Sequence, residues 1–256
     1  MGGDEQGIFV ADQLEKLGIV AELCIDGSRP TTFKKRYVAG NQKLFRVSRL
    51  DERDIDKEIE ETLISRLEYY GDKVDAIVVS SFNYGVITKK VLTKIIEMKR
   101  KYDIKVFGDS QCSSQIGSIE SFRGFSLLVP NEKEARMSVR KKGLGLEHLA
   151  HKLIEECECH ELIVTLAQDG FIAYTRDHTD KIINQPFPAL SVNPVDVAGA
   201  GDSLLAVMST GMGCGESTLL TAAIACCMTG LAVENMGNRP IQAETLKRYV
   251  HQIHGR

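Results

Sequence analysis

Aromatic residues are scarce in this 256-residue chain, at 6%, and tryptophan is absent. The few that occur are not interleaved with basic residues, which argues against a stacking platform for single-stranded nucleic acid. Positive charge is not in excess either. Thirty-two Lys and Arg against 35 Asp and Glu leave a net charge of -3, so no general attraction to nucleic acid or to an anionic membrane is expected. The amino terminus, MGGDEQGIFVADQLEKLGI, has no basic region followed by an apolar core, and therefore does not read as a secretory signal. No stretch is apolar enough to read as a membrane span. STLLTAAIACCMTGLAV (217–233) comes nearest, but it is slightly short and diluted by threonine and small residues. It predicts a tightly packed interior helix. Seven cysteines, odd in number and irregularly spaced, predict reduced thiols in a cytoplasmic protein rather than a disulfide framework. There is no internal repeat, low-complexity tract or Pro/Gly/Ser-rich linker, so a single domain over 1–256 is the simplest expectation.

Several chemical signatures are missing as well. GxxxxGK[ST] does not occur, so any ATP site is not of the P-loop kind, and neither GxGxxG nor HExxH is present. CECH (157–160) offers two thiols and a histidine without the paired-ligand spacing of a structural zinc site. His148 and His151, and likewise His251 and His254, are three apart on predicted helices but lack a third ligand. Cys226 and Cys227 are expected to pack as small hydrophobes.

What is there is an ordinary globular composition, 43% hydrophobic and 26% charged, with strands and helices in alternation. VDAIVVS (74–80), IKVFGD (104–109) and FSLLVPN (125–131) read as strands. ELIVTL (161–166) and GFIAYT (170–175) read as a hairpin around AQDG. Helices are predicted over 88–102, 146–157, 203–210, 217–235 and 243–253. Such alternation predicts an α/β fold, a mainly parallel sheet covered by helices on both faces. Ligands in such folds sit outside the carboxyl ends of the strands, where Asp109, Asn131 and the 196–202 loop fall.

Residues 28–50, SRPTTFKKRYVAGNQKLFRVSRL, contain seven basic residues and no acidic one. They read as a β-hairpin projecting from the main sheet. Its basic face is turned toward an anion, or else it is a solvated edge whose lysines discourage strand pairing. DERDIDKEIEE (51–61) reads as an exposed helix start.

The densest chemistry lies in NPVDVAGAGDSLLAV (193–207). Gly199, Ala200 and Gly201 have almost no side chains, so their amides can converge on an anion at the mouth of a helix. Asp202 beside them repels that anion, a cost that makes sense if it takes a proton from an attacking hydroxyl during phosphoryl transfer. The alternative is that Asp202 only caps the helix.

DVAGAGDSLLA resembles the carboxyl-terminal signature of the PfkB/ribokinase family of carbohydrate kinases. LLVPNEKEA (127–135) resembles that family's PNxxE motif, and VTLAQDG (164–170) its hairpin near the nucleotide. TTFKKRYVAGNQKLFRVSRLDE (31–52) and SSFNYGVIT (80–88) are most similar to the heptose 7-phosphate kinases of ADP-heptose synthesis within it. The resemblance covers nearly the whole chain. It implies a ribokinase-like fold and an ATP- and magnesium-dependent sugar kinase with Asp202 as base and the 199–201 amides as anion hole. Asn131, Glu132, Lys133, Glu134, Thr165, Gly170 and Asp196 would serve ATP, with Asn131 and Glu134 meeting magnesium through water. The hairpin would be a lid pairing two subunits, and Lys34, Arg36, Asn41, Arg46 and Asp109 would bind a sugar phosphate.

In that family an opening strand with a sugar-binding aspartate and a GG motif precede the part matching GGDEQG, so an amino-terminally short domain is implied. Ala198 stands where a threonine is common. Ser81 and Tyr84 stand in place of an acid and a lysine, Gln111 in place of another lysine, and Cys226 in place of a polar residue. Two other readings stay open: a non-catalytic nucleotide-binding or dimerisation protein, and a kinase for another sugar or a nucleoside.

Overall fold

The structure, a computed structural model, describes residues 1–39, 42–110, 119–140, 143–191, 194–234, 236–237 and 239–254. Asn41 and Gln111 lie outside the described residues. The chain divides into two compact units, one of Met1–Lys73 with Asn83–Met98, the other of Val74–Phe82 with Lys99–Arg256.

The first unit begins with helix α1 (Glu5–Lys16), capped by Asp4, whose carboxylate accepts from the Gly7 amide at 3.1 Å. The predicted hairpin is present as antiparallel strands β1 (Phe33–Ala39) and β2 (Gln42–Arg49). Strand alternation sorts its side chains. Phe33, Tyr37, Phe45 and Val47 share one face with Lys35 and Arg49, and there Tyr37 and Phe45 stack at 4.5 Å; Lys34, Arg36 and Arg46 share the other. Helix α2 (Lys57–Tyr70) starts six residues after the acidic stretch 51–61 opens, with Asp56 as its cap. That stretch is not wholly exposed. Glu60 is buried, accepting from the Thr88 hydroxyl at 2.5 Å and the Lys90 ammonium at 2.8 Å. Both donors stand at the start of α3 (Lys89–Tyr102), and they hold the Glu60 carboxyl below its usual range, Lys90 foremost.

The second unit is a six-stranded sheet in the order β3-β4-β5-β6-β7-β8. Strands β3 (Ala76–Ser81), β4 (Lys105–Ser110), β5 (Leu127–Leu128) and β6 (Glu161–Thr165) are parallel to their neighbours. β7 (Phe171–Arg176) and β8 (Ile182–Phe187) are antiparallel. β5 is much shorter than the 125–131 run suggested; on its carboxyl side Pro130 has no N–H to extend the ladder. β8 was not anticipated.

Both faces of this sheet are covered. Phe107, Leu127, Ile163, Phe171 and Ala173 point into a core with Leu204, Leu205, Met208, Met212, Ala222 and Ala225. These come from α6 (Ala200–Gly213) and α7 (Thr218–Val233), the latter capped by Ser217. On the opposite face α5 (Leu146–Cys157) packs on β6 and on α4 (Glu132–Val139). α7 is the packed interior helix its composition predicted, with Cys226 and Cys227 buried in it. The chain closes with α8 (Ala243–His254). No helix among the described residues is long and apolar enough to cross a membrane.

Candidate functional site

The carboxyl ends of β4, β5 and β6 bring several predicted residues to one edge of the sheet. Asp109 is buried near the end of β4, in register with Ser80 of β3. Beyond β5, Asn131 bridges to Thr165 at the end of β6, whose amide donates to the Pro130 carbonyl at 3.0 Å. Gly170 (φ 90°) closes the turn into β7, its carbonyl accepting from the Leu166 amide at 2.8 Å.

Helix α6 reaches the same edge by its direction. The Lys105 ammonium, at the start of β4, donates to the Met212 carbonyl near the end of α6 at 2.6 Å. Gly213 lies beside Ala76, at the start of β3. The helix therefore runs antiparallel to β3 and β4, on which it packs. Fourteen helical residues and six extended ones both span about 20 Å. The 199–202 turn accordingly stands toward the carboxyl ends of the strands, where open α/β sheets bind ligands.

The turn is built from two unlike pieces. Asp196 is buried and works as an internal brace, accepting from the Ala198 amide at 3.0 Å and the Gly237 amide at 3.2 Å. The amides of Val195 and Asp196 both donate to the Val233 carbonyl, at 2.7 and 3.1 Å. Gly199 then takes the left-handed conformation (φ 82°) as the cap of α6, and Ala200 is already helical. The helix thus starts three residues earlier than the sequence suggested. Asp202 falls in its first turn, and its carboxylate does not cap the helix, which has no side-chain cap at all.

Among the described residues, the Asp202 carboxylate meets no donor and no cation, and the amides of Gly199, Gly201 and Asp202 have no acceptor. The Ala200 amide is engaged, by a long 3.4 Å bond to the Val197 carbonyl. Gly201 is exposed, and a Cβ built there meets nothing within 4 Å. An open mouth of unsatisfied amides at a helix start, with an unengaged carboxylate beside it, can hold an anion and accept a proton.

The PNxxE segment carries a second function in its own fold. Asn131 caps α4, its Oδ1 accepting from the Glu134 amide at 2.9 Å, and Glu134 Oε2 accepts from the Asn131 amide at 2.9 Å. This reciprocal capping box occupies one oxygen of each side chain. Glu134 is buried and Asn131 exposed. Glu132 pairs with Arg136 at 2.6 Å, and Lys133 is exposed. Among the described residues no three His, Cys, Asp or Glu side chains are grouped to hold a metal ion. With that donor set, magnesium fits here only through water, in keeping with an ion that retains most of its hydration and leans on substrate phosphates.

In the hairpin, Arg36 and Arg46 stand directly opposite each other, and among the described residues neither has an acidic partner. Like charges so placed repel. Sequence reasoning assigned nothing to Asp26 or Arg29, which form a buried ion pair at 2.8 Å in the same unit. Their i,i+3 spacing is the only signal they leave in the sequence.

This arrangement has a family. Residues 1–244 match the pfkB family of carbohydrate kinases, and the chain belongs to it: it is a phosphotransferase domain of the kind whose acceptor is a sugar hydroxyl. Among curated relatives, the bifunctional protein HldE of a Nitratiruptor species is 27% identical over 99% of this chain and 52% of its own length. The HldE of Geotalea uraniireducens is 31% identical over 94% and 48%. The chain therefore spans about half the length of these relatives. Among solved structures, ribokinase from Thermotoga maritima superposes with a TM-score of 0.73 at 19% identity, covering 98% of this chain and 79% of that one. Phosphofructokinase-2 from Escherichia coli gives 0.75 at 15% identity over the same shares. The ribokinase-like fold expected from the sequence is thereby borne out, its sheet mainly parallel with β7 and β8 antiparallel at one edge.

Proposed function

We propose that this protein transfers the γ-phosphoryl group of ATP to a sugar phosphate, with a heptose 7-phosphate accepting at its anomeric hydroxyl. The observation that carries the reading is the unengaged Asp202 carboxylate beside unengaged amides at the start of α6. Asp202 takes the proton of the attacking hydroxyl as the oxygen–phosphorus bond forms. The bond from the γ-phosphorus to the bridging oxygen breaks in line, and ADP departs with the electron pair. The amides of Gly199, Gly201 and Asp202 stabilise the equatorial oxygens in flight. Asp196 positions this turn from within rather than touching ATP. Magnesium, bound through water near Asn131 and Glu134, would offset charge on the phosphates. Glu132, Lys133, Thr165 and Gly170 remain on the nucleotide side, and Asp109 on the sugar side.

The acceptor's own phosphate calls for cations. Arg36 and Arg46, opposed and unpaired in the hairpin, lose their mutual repulsion when a dianion lies between them, and Lys34 stands on the same face. The opposite face, with Phe33, Tyr37, Phe45 and Val47 between 38% and 57% exposed, suits a homodimer of a single-domain cytoplasmic enzyme paired through its lids.

Purified protein, ATP and magnesium with a panel of sugars and sugar phosphates test the reading. The expected result is one ADP per heptose 1,7-bisphosphate formed, abolished by chelation and restored by magnesium. Tight ATP binding without transfer to any acceptor would instead favour a non-catalytic nucleotide-binding protein.

A further inference from the structure

Beside α4 lies a cavity of about 540 Å³, lined by Glu132, Lys133, Arg136, Met137 and Arg140. Steps of three and four residues place these side chains on one face of the helix. The other face, with Glu134, Ala135, Ser138 and Val139, is buried, where α4 packs on α5 and β6. Thr165 ends β6, so the residues proposed to meet the catalytic nucleotide there stand on the sheet side of α4. The cavity lies on the opposite side.

Arg136 donates from Nε and Nη2 to the Glu132 carboxylate, at 2.9 and 2.6 Å, and from Nη1 to the Leu144 carbonyl at 2.8 Å. Each nitrogen of the guanidinium is thereby engaged along its edge, yet the side chain is 34% exposed. What remains for a ligand is its flat face. The half-buried Met137 follows it, a soft thioether surface suited to a ring. At the two ends of the cavity stand Lys133 and Arg140, both exposed and without an acidic partner among the described residues. Two helical turns set them about 10 Å apart. Arg140 ends the helix in the left-handed conformation (φ 53°), a place where glycine is usual. Glu132 does not oppose an anion here, because Arg136 already neutralises it.

We infer that this cavity is a second nucleotide site, distinct from the one proposed at α6, taking a nucleoside phosphate with its base on Arg136 and Met137 and its phosphates at Arg140. A planar base stacks on the guanidinium face, which keeps its in-plane bonds while doing so. The planar fork of Arg140 matches phosphate oxygens two at a time. Lys133 adds positive potential at the other end. The volume falls within the roughly 300–1,000 Å³ usual for small-molecule sites. An inorganic phosphate or a sugar phosphate would use the cations and leave the stacking face bare; a nucleotide uses both.

Hydrogen exchange in the full chain, titrated with ADP and no acceptor, reads the two sites separately. Slowed exchange is expected in 136–140 for the cavity and in 199–203 for the mouth of α6. Arg140→Gly removes the fork and suits the left-handed backbone, so it should melt no lower than the wild type. It should raise the ADP concentration that half-protects 136–140 by about tenfold or more. Arg136→Lys keeps a cation beside Glu132 but loses the flat face, and should raise it by about threefold or more. Both variants should leave the midpoint for 199–203 within about twofold of the wild type. Absence of protection in 136–140 overturns the inference. So does pyrophosphate protecting that segment as well as ADP does, which makes it a phosphate site alone. Midpoints of the two segments that shift together overturn it too, because cavity and α6 are then one site. Protection of 136–140 that both variants weaken, with 199–203 never protected, supports the inference and retires the α6 site instead.

Discussion

Gly201→Ala separates activity from stability. Gly201 is the second residue of α6 and has an ordinary helical φ, so alanine costs no backbone strain there. Its new methyl group meets no atom within 4 Å, so nothing in the protein must move. Replacing a helical glycine by alanine removes unfolded-state entropy and is worth up to about 0.5–1 kcal/mol, less in a first turn. For a chain of this size that is a rise in Tm of up to about 2–4 °C. The methyl group is added at the turn whose amides are proposed to receive the phosphoryl group; if it keeps a phosphoryl oxygen off one of them, the effect on kcat is that of losing one donor, about 10²–10³. Circular dichroism melts suit the first measurement, since there is no tryptophan to follow; coupled ADP release gives the second. A variant as active as the wild type would refute the anion-hole assignment. A variant that melts lower would show that the mouth of α6 is not open.

Asp202→Asn should lower kcat by about 10²–10⁴ with ATP affinity retained, as loss of a general base does, and single-turnover kinetics with a separate nucleotide-binding measurement check it. Gly170→Ala is expected to destabilise by more than about 1 kcal/mol, because φ is 90° and a Cβ would lie 2.1 Å from the Phe187 carbonyl oxygen; denaturant melts measure this. Burial raises the Glu161 carboxyl above its usual range, the hydrogen bonds of Thr175 and Thr218 only partly opposing it. Its protonated form is therefore the one the native state favours. Stability from this group is present below the unfolded carboxyl value and lost as pH rises through the raised native one. Glu161→Gln should flatten that fall in a Tm series taken upward from the ordinary carboxyl range near about pH 4; an unchanged slope would contradict the assignment. Phe45→Lys on the aromatic face of the hairpin, which Lys35 and Arg49 share, should shift a dimer to monomer in sedimentation.

Much of this molecule was legible before any coordinates. The alternation of β-branched runs with helical spacing gave the α/β class, because both periods are local properties of neighbouring residues. The hairpin of 28–50 was equally visible, since a strand's two faces alternate along the sequence and its charge is one-sided. GAGD stood out because small residues beside a carboxylate are a local oddity, and it is where α6 begins. The length of β5 and the start of α6 were misjudged, as ends depend on where Pro130 breaks a ladder and where Gly199 adopts a left-handed turn.

Other features belong to the tertiary structure alone. Asp196 reads as a ligand residue in sequence and becomes a brace only because residue 237 is folded back onto it. The mouth of α6 reaches the strand ends because the helix runs against β4, a direction revealed by Lys105 and Met212, 107 residues apart. Arg29 left almost no trace at all, since its partners are main-chain carbonyls 24 to 55 residues away. Every residue type carries the same carbonyl, so a contact to one writes nothing into the sequence, and only the folded chain decides which carbonyls meet.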